Sequence, residues 1–337
     1  MRNWQASRLA ILFGAVVSLL PATPMAQDQT LRVIYYPPWN ISKLPMYLAR
    51  DTGIFERNGL QLAWKNAGSN DKLLGAMKTG EGDLYVASSN HVVQNNATGG
   101  KPLVIIANTG HNYSVFLVEA NIARPENLKG KKIGTGEIGS TPYQLTRLAL
   151  SKLGLDPDRD VELVHFDDSR AANRANALLS GKVAGLLVTA EALFDLERNG
   201  ELKRFRILAD HKKLNIYAGG GADYAISAAF LRADRRRAKA FVAGICEGIA
   251  LAKKDKPRAL EFIGKTLRKT DAAAAEYLYR LYTTEVIPDR PHPRIASVEL
   301  GIQMQTSTLA AARGMKAQEL VDATLVLELE KEGRCNF

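Results

Sequence analysis

Apolar and polar positions alternate in two rhythms along this chain, and the switches between them mark out its elements. Residues 31–36 and 60–64 are apolar at every second position, the period of a strand with one covered face. Residues 84–87, 103–107 and 114–119 are short apolar runs that also read as strands. Helical spacing appears at residues 46–51 and 70–79, and a further helix opens at Ser88-Ser89-Asn90. Strand and helix in alternation argue for parallel-type sheets with helices on both faces.

A second round follows. Residues 161–165 and 183–188 read as strands, 171–180 and 190–199 as helices, and 205–208 as an edge strand. The rounds echo each other, since Met77-x-x-Gly80-x-x-Asp83-Leu84 corresponds to Leu178-x-x-Gly181-x-x-Ala184-Gly185. Two related lobes are therefore expected, residues 27–118 and 119–218, with a ligand between them at the strand ends. Crossings between lobes are expected at residues 118–121 and 217–221, the second containing Gly219-Gly220-Gly221 before a strand over 224–229. From residue 234 the pattern is helical throughout, at 234–254, 257–267, 272–286, 295–313 and 317–331. This tail, part of a third segment over 219–337, should pack back on the first lobe, whose sheet would otherwise lie bare on one face.

The best ligand site in the sequence is the stretch LKGKKIGTGEIGSTPYQLTRLAL, residues 128–150, which reads as strand, loop and helix. Gly134, Gly136 and Gly139 allow a tight turn, and Ser140 or Thr141 can cap a helix whose apolar face is Leu145, Leu148 and Ala149. Such a start turns backbone N–H groups and the positive dipole end toward an anion. The same letters satisfy G-x-G-x-x-G, yet a dinucleotide reading fits poorly. The strand is short, Glu137 would stand where a pyrophosphate approaches, and Asp156 and Asp158 lie in a turn rather than at a strand end.

The N-terminus changes the picture of location. Arg2 and Arg8 precede an apolar segment over residues 9–20 and then Pro-Ala-Thr-Pro-Met-Ala, the layout of a secretory signal peptide cleaved after Ala26. Removing it lowers the formal charge from +10 to +8, because Arg2 and Arg8 are its only charged side chains. The remaining charge is spread rather than blocked. Arg235-Arg236-Arg237 has no interleaved aromatics and reads as a solvated face, so nucleic acid is not an expected partner. A basic exterior does favour entry of small anions.

Candidate catalytic chemistry is thin. The five histidines show no metal-ligand spacing, and the two cysteines, Cys246 and Cys335, are too few for a zinc cluster. Export permits a bridge between them, while Cys246 also suits a reduced thiol beside the buried stripe of its helix. Neither an enzyme nor a cofactor or metal site is expected.

Four stretches together carry a family resemblance: residues 44–60 (LPMYLARDTGIFERNGL), Gly80-Glu81-Gly82-Asp83, residues 128–134 (LKGKKIG) and Gly139-Ser140-Thr141. The chain resembles the extracytoplasmic substrate-binding proteins of ABC importers of the nitrate, sulfonate, taurine and thiamine-precursor type, from about Leu31 to the C-terminal helices. The resemblance implies an α/β, bilobed type II periplasmic-binding-protein fold, two mixed sheets flanked by helices with a helical tail on the first lobe. It implies capture of a small anionic or polar organic ligand, such as a sulfonate or carboxylate, and delivery to an ABC permease and ATPase. A periplasmic sensing partner of a receptor and a pyrimidine-precursor binder or synthase of the same fold are the alternatives. The protein is expected to be a soluble periplasmic monomer. Ligand-facing positions implied are Trp39, Asn40, Ser42, Ser88, Ser89, Thr109, His111, Ser140, Thr141 and Thr189. One departure stands out: the family's usual acid in the second lobe is Ala184 here, whereas the first-lobe Asp83 is kept and reads as a structural acid.

Overall fold

The computed structural model describes residues 1, 30–35, 41–111, 113–138, 140–166, 171–217, 222–266, 271–306 and 309–337. The expected signal segment, Trp39, Asn40 and the glycine crossing at 218–221 lie outside the described residues.

Among the described residues ten strands form two sheets. The first contains β1 (Thr30–Tyr35), β2 (Gln61–Asn66), β3 (Leu84–Ala87), β4 (Leu103–Asn108) and β10 (Asp223–Ser227), in the order β2-β1-β3-β10-β4. The second contains β5 (Ser114–Glu119), β6 (Lys132–Thr135), β7 (Glu162–His165), β8 (Gly185–Thr189) and β9 (Phe205–Asp210), in the order β7-β6-β8-β5-β9. Each sheet pairs three strands in parallel and receives one antiparallel strand, β10 or β5. That guest strand comes from the stretch of chain that has just left the other sheet. The passages between sheets therefore run through residues 109–113 and 211–222. The boundary expected between residues 118 and 119 would cut through β5, which is hydrogen-bonded into the second sheet; the chain leaves the first sheet before β5.

Period-two burial explains the layers. Val33, Leu84, Val86, Tyr224 and Ile226 point into one core and Ile34, Tyr85, Ala87 and Ala225 into the other, so the first sheet is covered on both faces. In the second sheet Phe116 and Val118 face one core and Val115, Leu117 and Leu186 the opposite one.

The helices are α1 (Leu44–Asp51), α2 (Ile54–Arg57), α3 (Asn70–Thr79), α4 (Ser89–Ala97), α5 (Thr141–Lys152), α6 (Ala171–Leu179), α7 (Ala190–Arg198), α8 (Ala228–Ala233), α9 (Arg235–Lys254), α10 (Lys256–Thr266), α11 (Ala272–Glu285), α12 (Ile295–Thr306) and α13 (Thr324–Lys331). Local chemistry sets several ends. Ser69 Oγ accepts from Lys72 N at 3.3 Å to start α3, and Gly80 ends it in the left-handed conformation. Asp234 caps α9 through Arg237 N. Helix α9 lies against α1, where Gly248 meets the Pro45 carbonyl so closely that any side chain would collide.

Two tail expectations need correction. The helix expected over 295–313 ends as α12 at Thr306, and a 3₁₀ turn follows at Ala310–Gly314. The one expected over 317–331 is a 3₁₀ turn at Ala317–Leu320, then an extended Val321 paired with Ile105, then α13. Asp322 N donates to Ile105 O at 2.9 Å, so the interruption closes the open edge of β4 instead of prolonging a helix. The tail does pack on the first lobe, through α9, α11 and α13, and it also reaches the second. Leu300 and Met304 of α12 enter the second lobe's core, and Phe194 of α7 lies 4.9 Å from Tyr277 of α11. Cys246 of α9 is disulfide-bonded to Cys335, with both residues fully buried, which resolves the two readings of these cysteines. Among the described residues no helix is long and apolar enough to cross a membrane.

Candidate functional site

The carboxyl ends of the parallel strands in both sheets converge where the chain passes between sheets. On the first lobe, β1 leads through residues 36–40 to a buried 3₁₀ turn, Ile41–Lys43. Ser42 O accepts from Thr109 Oγ1 at 2.8 Å, and Thr109 Oγ1 also lies 3.0 Å from the Tyr224 hydroxyl. Ser42 and Thr109, both expected to face ligand, are thus brought together, each fully buried. The neighbouring Lys43 is only 3% exposed, and burial pushes its ammonium down to about 8. It is still mainly charged at pH 7.

At the end of β3, Ser88 begins α4 and its N–H donates to His91 Nδ1 at 3.4 Å. His91 is buried, and desolvation with the nearby Lys43 pushes it down to about 4, so it is a neutral imidazole. Ser89 Oγ donates to Ser297 O at 2.8 Å, tying α4 to α12. The Ser89 N–H bonds the carboxylate of Asp223, which also accepts from Asn108 Nδ2 at 2.7 Å. Burial raises Asp223 to about 6 against those two bonds. The positive end of α4 is therefore occupied by the protein's own acid.

On the second lobe, Ser140 caps α5, its Oγ accepting from Tyr143 N at 3.3 Å, as the sequence led one to expect. Two of the amides expected to face a ligand are not on offer, because Pro142 has no N–H and that of Tyr143 is used by the cap. Thr141 is the first residue of α5, and Gly139 lies outside the described residues. Beside this turn His165 Nδ1 stands 3.3 Å from Gly136 O, and the Tyr143 and His165 rings are 5.6 Å apart. Thr189 is the half-buried N-cap residue of α7, paired across the sheet with Ser114.

The passages themselves hold a group that sequence reading did not assemble. His111 follows β4 and His211 follows β9. Their rings are 4.7 Å apart and each is 1% exposed. Among the described residues neither nitrogen of either ring has a hydrogen-bond partner. A buried polar group left so costs about 1–3 kcal/mol. Burial pushes His111 down to about 3 and lowers His211 as well. Tyr217 stands edge-on to both rings, and the Arg294 guanidinium lies 5.5 Å from its centroid. Among the described residues Arg294 makes no ion pair and no side-chain hydrogen bond. The sequence singled out His111 alone, because Arg294 lies far along the chain in a Pro-rich connector with nothing in its spacing to mark it.

Asp83 behaves as the structural acid anticipated. Its carboxylate accepts from Arg32 N at 3.0 Å and from Arg32 Nη2 at 2.6 Å, clamping β1 to the approach of β3.

Two α/β sheets that trade strands, with helices on both faces of each, define the class: the periplasmic binding protein fold. The chain belongs to the NMT1/THI5-like family, whose model matches residues 40–259. It is 25% identical over 187 residues to the Bacillus subtilis (strain 168) protein YtlA, a match covering 54% of this chain. The match spans about half of that relative's length, 55%. The structure is similar to the periplasmic aliphatic sulphonate binding protein SsuA from Escherichia coli, with TM-score 0.64 and 20% identity over 83% of this chain and 87% of that one. It is similar to the alkanesulfonate-binding protein SsuA from Xanthomonas axonopodis pv. citri bound to MOPS, with TM-score 0.60 and 18% identity over 88% and 99%. The desulfurization enzyme DszB shares the fold too, with TM-score 0.62 and 15% identity over 90% and 99%. At such identities the likeness speaks for the fold alone.

Proposed function

We propose that this chain is an exported solute-binding protein that holds a small organic anion, a sulfonate foremost, between its two lobes and delivers it to an ABC permease and ATPase. The observation that carries this reading is the double exchange of strands. With β5 and β10 each seated in the sheet opposite to the one the chain has just left, the lobes can rotate about two short passages and close on a ligand at the strand ends. Family membership and the sulfonate-binding proteins of the same fold support the ligand class. The Ser140 hydroxyl at the head of α5, which accepts from Tyr143 N and keeps its own proton to donate, supports an anion on the second-lobe side. The protein acts in the periplasm as a monomer.

The test is calorimetry against MOPS, ethanesulfonate and matched carboxylates, with solution scattering on the same samples. Binding with a smaller radius of gyration is expected for at least one sulfonate. Replacing Ser140 and Thr141 together by Ala should weaken that binding roughly 10-fold to 150-fold, the size of a lost charge-assisted bond. A lost helix cap alone would lower the apo stability by about 1 kcal/mol and leave affinity unchanged. A protein that binds none of these anions is not the receptor described here.

A further inference from the structure

We propose that Arg294, His111 and His211 form the seat for the sulfonate group of the ligand, the guanidinium supplying charge and the two imidazoles supplying N–H donors. This rests on the reading of the chain as an organic-anion receptor and names the residues that would decide its specificity. Three independent observations converge on it.

The first is Arg294. It immediately precedes α12, and its side chain lies over the Tyr217 ring, yet among the described residues no carboxylate pairs with it and no hydrogen bond engages its donors. A partly buried guanidinium normally has such a partner, because its planar fork of five donors is costly to desolvate. The carboxylates nearby hold their hydrogen bonds and ion pairs elsewhere: Asp223 with Asn108 and the Ser89 amide, although it and Arg294 favour each other's charged form through space, Asp210 with Lys213 N at 2.7 Å, and Glu285 with Lys212.

The second observation is the histidine pair. Both residues are 1% exposed, and all four ring nitrogens lack a partner among the described residues. Each neutral imidazole carries one N–H and one acceptor nitrogen, so the pair can offer two donors without adding charge. Burial keeps both rings neutral; Arg294 and Lys212 oppose the protonation of each, while Asp210 and Glu285 favour that of His211 without overcoming its burial.

Location is the third. Asn108 and Asp210 are the carboxyl-terminal residues of β4 and β9, the corresponding edge strands of the two sheets; His111 lies three residues beyond Asn108, and His211 comes directly after Asp210. Ligands of open α/β sheets sit outside strand carboxyl ends. An anion held here would touch both passages at once, and a guanidinium fork matches two oxygens of a sulfonate.

The experiment is calorimetric titration with MOPS and ethanesulfonate of the full mature chain and of its Arg294→Gln and Arg294→Lys variants, with apo melting curves for each. Arg294→Gln should weaken binding at least about 10-fold, the size of one charge-assisted bond. Arg294→Lys should recover part of the loss, since it restores charge without the fork. Wild-type affinity in Arg294→Gln overturns the seat while leaving the receptor reading intact. Absence of sulfonate binding by the parent protein overturns both. A second measurement covers the case in which a variant is poorly folded. In the unmodified protein the imidazole nitrogen resonances of His111 and His211 should move on saturation with MOPS, whereas His292, paired with Glu330, should not. Unmoved His111 and His211 signals at full occupancy also overturn the seat.

Discussion

The two lobes repeat one design and fill it with different chemistry. Strand β3, Ser88 and α4 in the first lobe correspond to β8, Thr189 and α7 in the second, and both helices are nine residues long. In the first lobe the guest strand brings Asp223 to the helix N-terminus; the corresponding position in the second is Val115, from the register of β5 against β8. The strand junction differs in the same sense. Asp83 N donates to Arg32 O at 2.9 Å and Ala184 N to Lys132 O at 2.8 Å, so the backbone frame is the same. Only the first lobe adds a carboxylate clamp. Its acids therefore secure a frame that the backbone already defines. The first lobe is stiffened by Asp83, Asp223 and a disulfide, and the corresponding positions of the second, Ala184 and Val115, carry no acid.

The largest test of this contrast is covalent. Cys335→Ser removes the bridge that ties the end of the tail to α9, and about 2–5 kcal/mol of stability should go with it. Urea denaturation of the variant and of reduced wild type should give the same midpoint. If the midpoint stays where it was, the bridge is not what stiffens the first lobe.

Acid provides the next test. His91 and His111 have folded values of about 4 and 3 against 6.5 for the free side chain, so their support is complete above pH 6.5 and is withdrawn as pH falls toward 4. Asp223, raised from 3.8 to about 6, works in the opposite direction and adds stability as pH falls through that interval. Two histidines outweigh one acid, and His211, also lowered by burial, acts in the same direction as they do. Net loss between pH 7 and 4.5 should be about 3 kcal/mol at roughly 1.4 kcal/mol per unit of each shift. Asp223→Asn should steepen the loss because the opposing contribution is gone, and His111→Gln should flatten it. Melting temperatures at half-unit pH steps would read both slopes, and identical slopes would show that these groups do not govern acid stability.

The smallest effect compares the junctions directly. Asp83→Ala should cost about 1 kcal/mol, since the Arg32 partner is largely exposed and screened. Ala184→Asp alone should gain nothing, because Lys132 lacks the guanidinium fork and already leans toward Glu162 at 3.6 Å. Combining it with Lys132→Arg should recreate the clamp and stabilise the second lobe by a few tenths of a kcal/mol to about 1 kcal/mol. Additive single changes in a double-mutant cycle would deny the clamp.

Much of this architecture was legible before any coordinates. Period-two alternation gave β1 and β2, short apolar runs gave strands such as β3, β4 and β5, because burial on both sheet faces writes itself into local pattern, and the echo of Gly80-x-x-Asp83 in Gly181-x-x-Ala184 gave the two lobes. Misreadings came where neighbours overrode that pattern. Residues 114–119 look like a strand wherever they pair, so the sequence could not say which sheet receives them. The tail around Val321 reads as helix until the open edge of β4 is there to be covered.

The candidate site divides in the same way. Ser140 was visible as a cap because a cap is a local event, one hydroxyl accepting from an amide three residues on. The pairing of Cys246 with Cys335, Asp223 at the head of α4, and Arg294 beside His111 and His211 join residues far apart in the chain. What the sequence determined was the alternation of elements and the duplicated frame, since periodicity and capping act over a few residues. Only the tertiary structure decided which buried groups meet, because the strand exchange brings edge strands, passages and tail into one place.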